Sequence, residues 1–262
     1  MTIMVGVLGA AGRMGATVCG AVHDADGLEL AAAVDPTAAG RTVADVGAAP
    51  LDLAIAGDVA ACVEAGVDVV VDFTVAAASR ANLPQLAEAG IHAVVGTTGF
   101  GDDDLAAFGD AFTSSNCVVA ANFAISAVLM MRFAELAAPL FDTVEIIEFH
   151  HDAKVDAPSG TAMATAERIA AASDQWRPDP TETEVVAGAR GGKGPGDIRM
   201  HAVRMHGMLA HQDVIFGAEG QTLRLRQDSY DRSSFMPGVV LAVRRIADHP
   251  GLTVGLDSIL GV

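Results

Sequence analysis

The sequence predicts an α/β protein: an N-terminal Rossmann-like dinucleotide-binding domain, then a C-terminal α+β domain with a mostly antiparallel sheet. Three observations carry this. A glycine-rich turn, Gly9-Ala10-Ala11-Gly12-Arg13-Met14-Gly15, joins a short apolar run to an Ala-rich segment. Further apolar runs alternate with helix-compatible stretches as far as residue 124. Beyond that point strand-like runs follow one another around a charged, glycine-rich loop.

Residues 3–8, IMVGVL, have the unbroken apolar character of a buried parallel strand. Glycine in the turn after it permits a tight bend and the close approach of a pyrophosphate to backbone N–H groups, at the positive end of a helix over 16–22. The spacing is GxxGxxG rather than GxGxxG, and alone it serves a strand–helix turn as well. A second strand, 28–34, ends at Asp35, twenty positions after Gly15, where a ribose-binding carboxylate is expected. Strand, turn, helix and acid together predict a dinucleotide site.

Residues 67–74, 91–99 and 117–123 read as further strands, the first followed by a helix-compatible segment, 75–89. Open α/β sheets bind ligands at the carboxyl ends of their strands. Gly96, Thr97 and Thr98, and Ala120, Ala121, Asn122 and Phe123, therefore belong at the nicotinamide end of a cofactor, although each loop reads equally as a plain turn.

In the second half a helix over 125–139 precedes a strand ending at His150, and a helix over 162–170 follows. The loop 188–196, with Arg190 and Lys193, reads equally as a mobile lid or a solvated loop. Strand-like runs come at 198–205, 213–217 and 222–227, then a helix over 233–246. The expected division is 1–124 for the dinucleotide domain, with 236–262 packing back on it, and 125–235 for substrate binding and oligomerisation.

The 262 residues carry a net charge of −17, spread along the chain, which argues against a nucleic-acid partner. Cys19, Cys62 and Cys117 are odd in number and lack CxxC spacing, so they read as buried thiols in a reducing cytoplasm. No leader-like segment opens the chain, and its longest nearly apolar run, 117–131, is too short to span a bilayer. No membrane partner is expected.

The two lysines, Lys154 and Lys193, share a region with five of the eight histidines, at 150, 151, 201, 206 and 211. Without HxxxH or Cys/His pairs, no metal site is expected. His201, His206 and His211 read as surface or core positions. The stretch EFHHDAKVDAPSGTA, 148–162, is different, because it places His150, His151 and Lys154 at a strand end and Ser159-Gly160-Thr161 at a helix start. Imidazoles and an ammonium can deliver or accept a proton, and a helix N-terminus can cradle a carboxylate. Beside a reduced nicotinamide, such groups suit a small anionic substrate with a reducible C=N or C=O.

GAAGRMG, VDFT, GTTGF, ANF and above all EFHHDAKVDAPSGTA resemble the 4-hydroxy-tetrahydrodipicolinate reductase (dihydrodipicolinate reductase) family of diaminopimelate and lysine synthesis, nearly end to end. The resemblance implies reduction of a cyclic imine dicarboxylate by NADH or NADPH, with loss of water, in a homotetramer. It implies that His150 is an acid/base residue, His151 a substrate contact and Lys154 a proton donor, with Gly160 and Thr161 cradling a carboxylate. Gly9, Ala10, Ala11, Gly12, Arg13, Met14, Asp35, Gly96, Thr97, Thr98 and Ala120 to Phe123 would contact the cofactor. Two positions depart from common members. Asp152-Ala153 replaces a motif with a third histidine, and Pro36 stands where some members carry an arginine for a 2′-phosphate. With Asp35 present, NADH is expected to serve at least as well as NADPH.

Overall fold

The computed structural model describes residues 2–262 and divides into two compact units, one running to Ile125 and resuming at Arg232–Val262, the other Ser126–Asp231. In chain order the elements are β1 (Ile3–Leu8), α1 (Arg13–Asp24), β2 (Leu28–Val34), β3 (Ile55–Ala56), α2 (Ala60–Glu64), β4 (Val69–Asp72), α3 (Ala76–Glu88), β5 (His92–Val95), α4 (Asp102–Ala111) and β6 (Cys117–Val119). They continue with α5 (Ile125–Ala137), β7 (Thr143–His150), α6 (Gly160–Ala172), β8 (Gly192–Lys193), β9 (Arg199–Arg204), β10 (Ala210–Ala218) and β11 (Gln221–Ser229). The chain closes with α7 (Met236–Arg245), β12 (Leu252–Val254) and α8 (Asp257–Leu260).

The first unit is built on a seven-stranded sheet ordered β12-β6-β5-β4-β1-β2-β3, parallel throughout. Its central strands are buried on both faces, which is why they are continuous Val and Ala runs rather than alternating ones. Leu8, Val70, Leu83, Leu86, Val95 and Phe112 lie within one apolar core. The glycine turn is fixed by sterics: a Cβ on Gly15 would stand 1.9 Å from the Gly9 carbonyl oxygen, so only glycine lets α1 start this close to the loop. The C-terminal helix α7 packs as tightly, since a Cβ on Gly238 would meet the Phe123 carbonyl oxygen at 2.1 Å. Arg244 donates to the Asp26 carbonyl at 2.8 Å, and β12 extends the sheet beside β6.

The second unit holds a five-stranded sheet ordered β11-β10-β7-β9-β8. The sheet is mixed rather than purely antiparallel: three of its pairings are antiparallel, as in the mostly antiparallel sheet expected from the sequence, and one is parallel. β10 runs antiparallel to β11 and β7, and β8 antiparallel to β9, but β7 and β9 are parallel, with His150 opposite Arg204. The long segment between β7 and β9, which contains α6, carries the chain back to start β9 from the same end, as a parallel pair requires. Val144, Ile146 and Glu148 point to the buried face of β7, and Glu145 and Ile147 to the other. No helix among the described residues is long and apolar enough to cross a membrane.

Candidate functional site

In the first unit the candidate residues sit after the carboxyl ends of β1, β2, β5 and β6. Gly9 adopts φ +78, and the Gly9 and Ala10 amides both donate to the Val34 carbonyl, at 2.8 and 3.1 Å. This bends the loop towards the end of β2. There the Asp35 carboxylate accepts from the Ala11 amide at 3.1 Å and, through its other oxygen, from the Thr37 amide and hydroxyl at 3.0 and 2.7 Å. The acid that the sequence places for a ribose is thus the tether of the glycine loop. Gly12 precedes α1 with no side-chain cap, and the first turn has no acidic residue, so the helix offers its amide dipoles to an anion. Gly12, Arg13 and Met14 surround this turn, and Arg13 is exposed. An uncapped helix start, a loop stripped of side chains and a carboxylate one strand away fit a dinucleotide's pyrophosphate and ribose.

At the end of β4 the fully buried Asp72 accepts from the Thr74 amide and hydroxyl, at 2.9 and 2.6 Å, and from the Thr97 hydroxyl at 3.1 Å. The Thr97 side chain is therefore spent on joining β4 to β5, and only its backbone is left for a ligand. Thr98 is exposed. Gly96 has to be glycine, because the Phe73 ring lies over it and would meet a Cβ at 2.1 Å. That ring also packs against Phe123, with centroids 5.8 Å apart. Ala120 and Phe123 are buried, Ala121 is exposed, and the Asn122 side chain accepts from the Ala124 amide. Phe73 and Thr74 entered the sequence reading only within the VDFT motif, with no role given to them; their place at a strand's carboxyl end was the available signal.

In the second unit the histidine stretch condenses around Glu148, which is 1% exposed. One of its oxygens accepts from the Ser159 amide at 3.1 Å and from Arg204 Nη2 at 2.8 Å. The other accepts from Arg204 Nη1 at 2.8 Å and lies 2.5 Å from His150 Nδ1. Burial pushes the Glu148 carboxyl up, but Arg204 and His150 outweigh it and hold it below the usual carboxylate range. For His150, burial pushes the imidazole down; Glu148 opposes this, Lys154 and Arg204 reinforce it, and the net direction is down. Lys154 Nζ spans both oxygens of Asp156, at 2.7 and 2.8 Å, and Arg204 Nη2 also donates to the Asp156 carbonyl at 2.6 Å. His151 is exposed.

Ser159 caps α6 by accepting from the Ala162 amide at 3.2 Å. Its amide and hydroxyl are therefore both engaged within the fold. Gly160 is exposed and a Cβ there would meet nothing within 4 Å. Neither Glu148 nor Arg204 was singled out from the sequence. A glutamate on the inward-facing alternation of a strand was a usable signal, whereas nothing local marks Arg204.

The other histidines go elsewhere. His201 pairs with Glu145 at 2.8 Å, His206 with Asp152 at 3.5 Å and His211 with Asp228 at 2.7 Å. Lys193 lines a cavity of about 930 Å³ with Glu145, Ile147, Trp176, Arg190 and Ile215, on the sheet face opposite Glu148. The region shared by the two lysines in sequence is thus split by the sheet. Among the described residues no group of three or more His, Cys, Asp or Glu side chains is arranged for a metal ion.

Comparison with known proteins covers both units. Residues 3–123 match the dihydrodipicolinate reductase N-terminal family and residues 126–260 its C-terminal family. The 4-hydroxy-tetrahydrodipicolinate reductase of Beutenbergia cavernae is 50% identical, with 99% of each chain covered, and that of Nocardia farcinica is 49% identical over the same shares. Among solved structures, a dipicolinate-bound dihydrodipicolinate reductase from Paenisporosarcina sp. TG-14 is 38% identical, with a TM-score of 0.89 over 99% of this chain and 100% of that one. Scyllo-inositol dehydrogenase from Lactobacillus casei, with NAD(H) and scyllo-inositol, matches at TM-score 0.64 and 12% identity over 99% and 93%, a likeness of fold alone.

Proposed function

The chain belongs to the dihydrodipicolinate reductase family, and from that premise we propose how its residues divide the work of the reaction. It is an oxidoreductase that reduces 4-hydroxy-tetrahydrodipicolinate to tetrahydrodipicolinate with a nicotinamide cofactor, in diaminopimelate and lysine synthesis. When bound, the reduced nicotinamide would supply a hydride to ring carbon 4, which loss of the 4-hydroxyl as water leaves conjugated with the C=N, so that the product keeps its imine. The protein must supply a proton to the nitrogen and hold two carboxylates.

Lys154 is the proton donor, His150 the acid/base residue beside it, and His151 a substrate contact. Gly160 and Thr161 hold a substrate carboxylate at the positive end of α6. The observation that supports this assignment is the gathering of His150 and the start of α6 around the buried Glu148 carboxylate, whose partner Arg204 also holds the Asp156 carbonyl beside Lys154. Gly9 to Met14 receive the pyrophosphate, Asp35 the ribose, and Gly96 to Thr98 with Ala120 to Phe123 the nicotinamide end.

NADH serves at least as well as NADPH. Asp35 disfavours a 2′-phosphate, Pro36 offers it no cation, and Arg41 Nη2 is already engaged with the Asp45 carbonyl at 2.7 Å. The enzyme works in the cytoplasm as a homotetramer assembled through the second unit, where Ile147, Phe149 and Ile215 are only partly covered. The test generates the imine in place from pyruvate and aspartate semialdehyde with the preceding synthase and follows oxidation of NADH and NADPH in parallel. Imine-dependent oxidation of both, with NADH at least equal in efficiency, is expected. Higher efficiency with NADPH would overturn the cofactor assignment.

A further inference from the structure

We propose that Glu148 is a positioning residue for the reduction: anchored by Arg204 and the Ser159 amide, its carboxylate fixes His150 in the Nδ1–H tautomer, so that Nε2 is the atom offered to the substrate. This rests on the assignment of His150 to the reaction.

The carboxylate occupies a strand position whose neighbours on the same face, Val144 and Ile146, are buried and apolar. A charge in such a place persists only when its lone pairs are satisfied. Here all four contacts are made, two to the guanidinium, one to a backbone amide and one to the imidazole. Three of the four are donors that carry their hydrogens regardless of pH, so Glu148 stays an anion and an acceptor only. His150 Nδ1 must then be the donor in the 2.5 Å contact, which leaves Nε2 as the basic nitrogen of the neutral ring. Nε2 has no protein partner among the described residues. The charged groups facing this imidazole are Glu148 on its own strand, Arg204 from β9, and Lys154 from the following loop, whose ammonium is held by Asp156. A carboxylate that both orients an imidazole and steadies its protonated form is a recurrent support for proton transfer.

A purely structural role has to be separated, because Arg204 also ties the loop at Asp156 to the sheet. The wild-type enzyme answers first: ¹⁵N shifts of His150 should show the Nδ1–H tautomer above its titration, and an Nε2–H tautomer there would overturn the proposal without any variant. Glu148→Gln then keeps the shape and presents an amide to the ring. It should lower kcat by about 10²-fold or more, with the KM for the imine changed much less, and displace the acid limb of the kcat pH profile. A double-mutant cycle with His150→Asn tells whether the effect passes through the histidine. In that background Glu148→Gln should change kcat by less than about threefold. Undiminished loss there, or wild-type kcat in Glu148→Gln alone, would refute the positioning role. Wild-type kcat in His150→Asn would instead strike the assignment on which the proposal stands, and the proposal with it.

Discussion

Replacing Asp35 by Asn tests the cofactor end of the protein, and its size can be worked from the contacts. Asn keeps an oxygen for the Thr37 amide and hydroxyl, the pair now held at 3.0 and 2.7 Å, so the turn after β2 survives. The Ala11 amide, now 3.1 Å from the second oxygen, faces an NH₂ group instead and loses its acceptor. For NADH, a charge-assisted bond to the ribose hydroxyl, worth about 1.5–3 kcal/mol, becomes a neutral one of about 0.5–1.5 kcal/mol. The difference weakens binding by roughly tenfold. For NADPH the sign reverses, because removing a carboxylate beside a 2′-phosphate relieves about 1–2 kcal/mol of repulsion after surface screening, again roughly tenfold. The ratio of Kd values should thus move by about 100-fold towards NADPH. Titration of each reduced cofactor by its fluorescence, with the melting temperature recorded alongside, measures this. A ratio unchanged within about threefold in a folded variant would mean that Asp35 only tethers the glycine loop, and the reasoning from ribose recognition would fail.

Lys154→Ala should depress kcat by about two orders of magnitude or more while NADH affinity stays near wild type; unchanged turnover removes Lys154 from proton delivery. Ser159→Ala, which deletes the cap on α6 while leaving the Ser159 amide on Glu148, should cost about 1 kcal/mol in urea unfolding. Stability should also fall with acid in two stages. The imidazole of His150 is held below its unfolded value, so the unfolded chain protonates first and stability declines as pH drops through about 6.5. Glu148 is likewise depressed, so its contribution is present above the unfolded carboxyl range and is lost as pH falls below about 4.5. Urea midpoints between pH 8 and pH 3 read both stages, and a flat profile between 8 and 5 would contradict the His150 direction.

The parallel sheet was legible because buried strands are written as local runs, and because Gly9 to Gly15 and Asp35 lie at the distances that one strand–helix–strand unit imposes. His150, Lys154 and Ser159 were legible for the same reason, since fifteen residues contain a strand end, a turn and a helix start. Arg204 was not. Its place beside Glu148 depends on strand pairing between segments 56 residues apart, and no local pattern states which strand lies next to which. Helix α4 was hidden by its opening Asp102-Asp103-Asp104, which reads as solvated charge; in the structure Asp104 closes back on the Gly101 amide at 2.9 Å and on Arg80 at 2.6 Å. Three-residue β12 is too short to show a period at all. Lys193 seemed to belong with Lys154 because sequence proximity says nothing about which face of a sheet a later loop will cover.

The parallel pairing of β7 with β9 sets where this chain can drift. Between the end of α6 and the start of β8 the backbone returns to the right end of the sheet without touching Glu148, and each doubling of such a loop costs little, about 0.6 kcal/mol. Insertions there leave every partner of Glu148 in place, provided that they fall clear of Arg177, Asp179 and Arg190, which pair with Asp142, Arg199 and Glu145. A single residue added inside β9 would do the opposite: it would turn Arg204 to the other side of the sheet and strand the Glu148 anion in an apolar layer without its guanidinium. Length is therefore cheap to change in one stretch of this unit and prohibitive in another, and a lineage of such enzymes can lengthen its connecting segment between the paired residues while the six residues of β9 stay fixed in number.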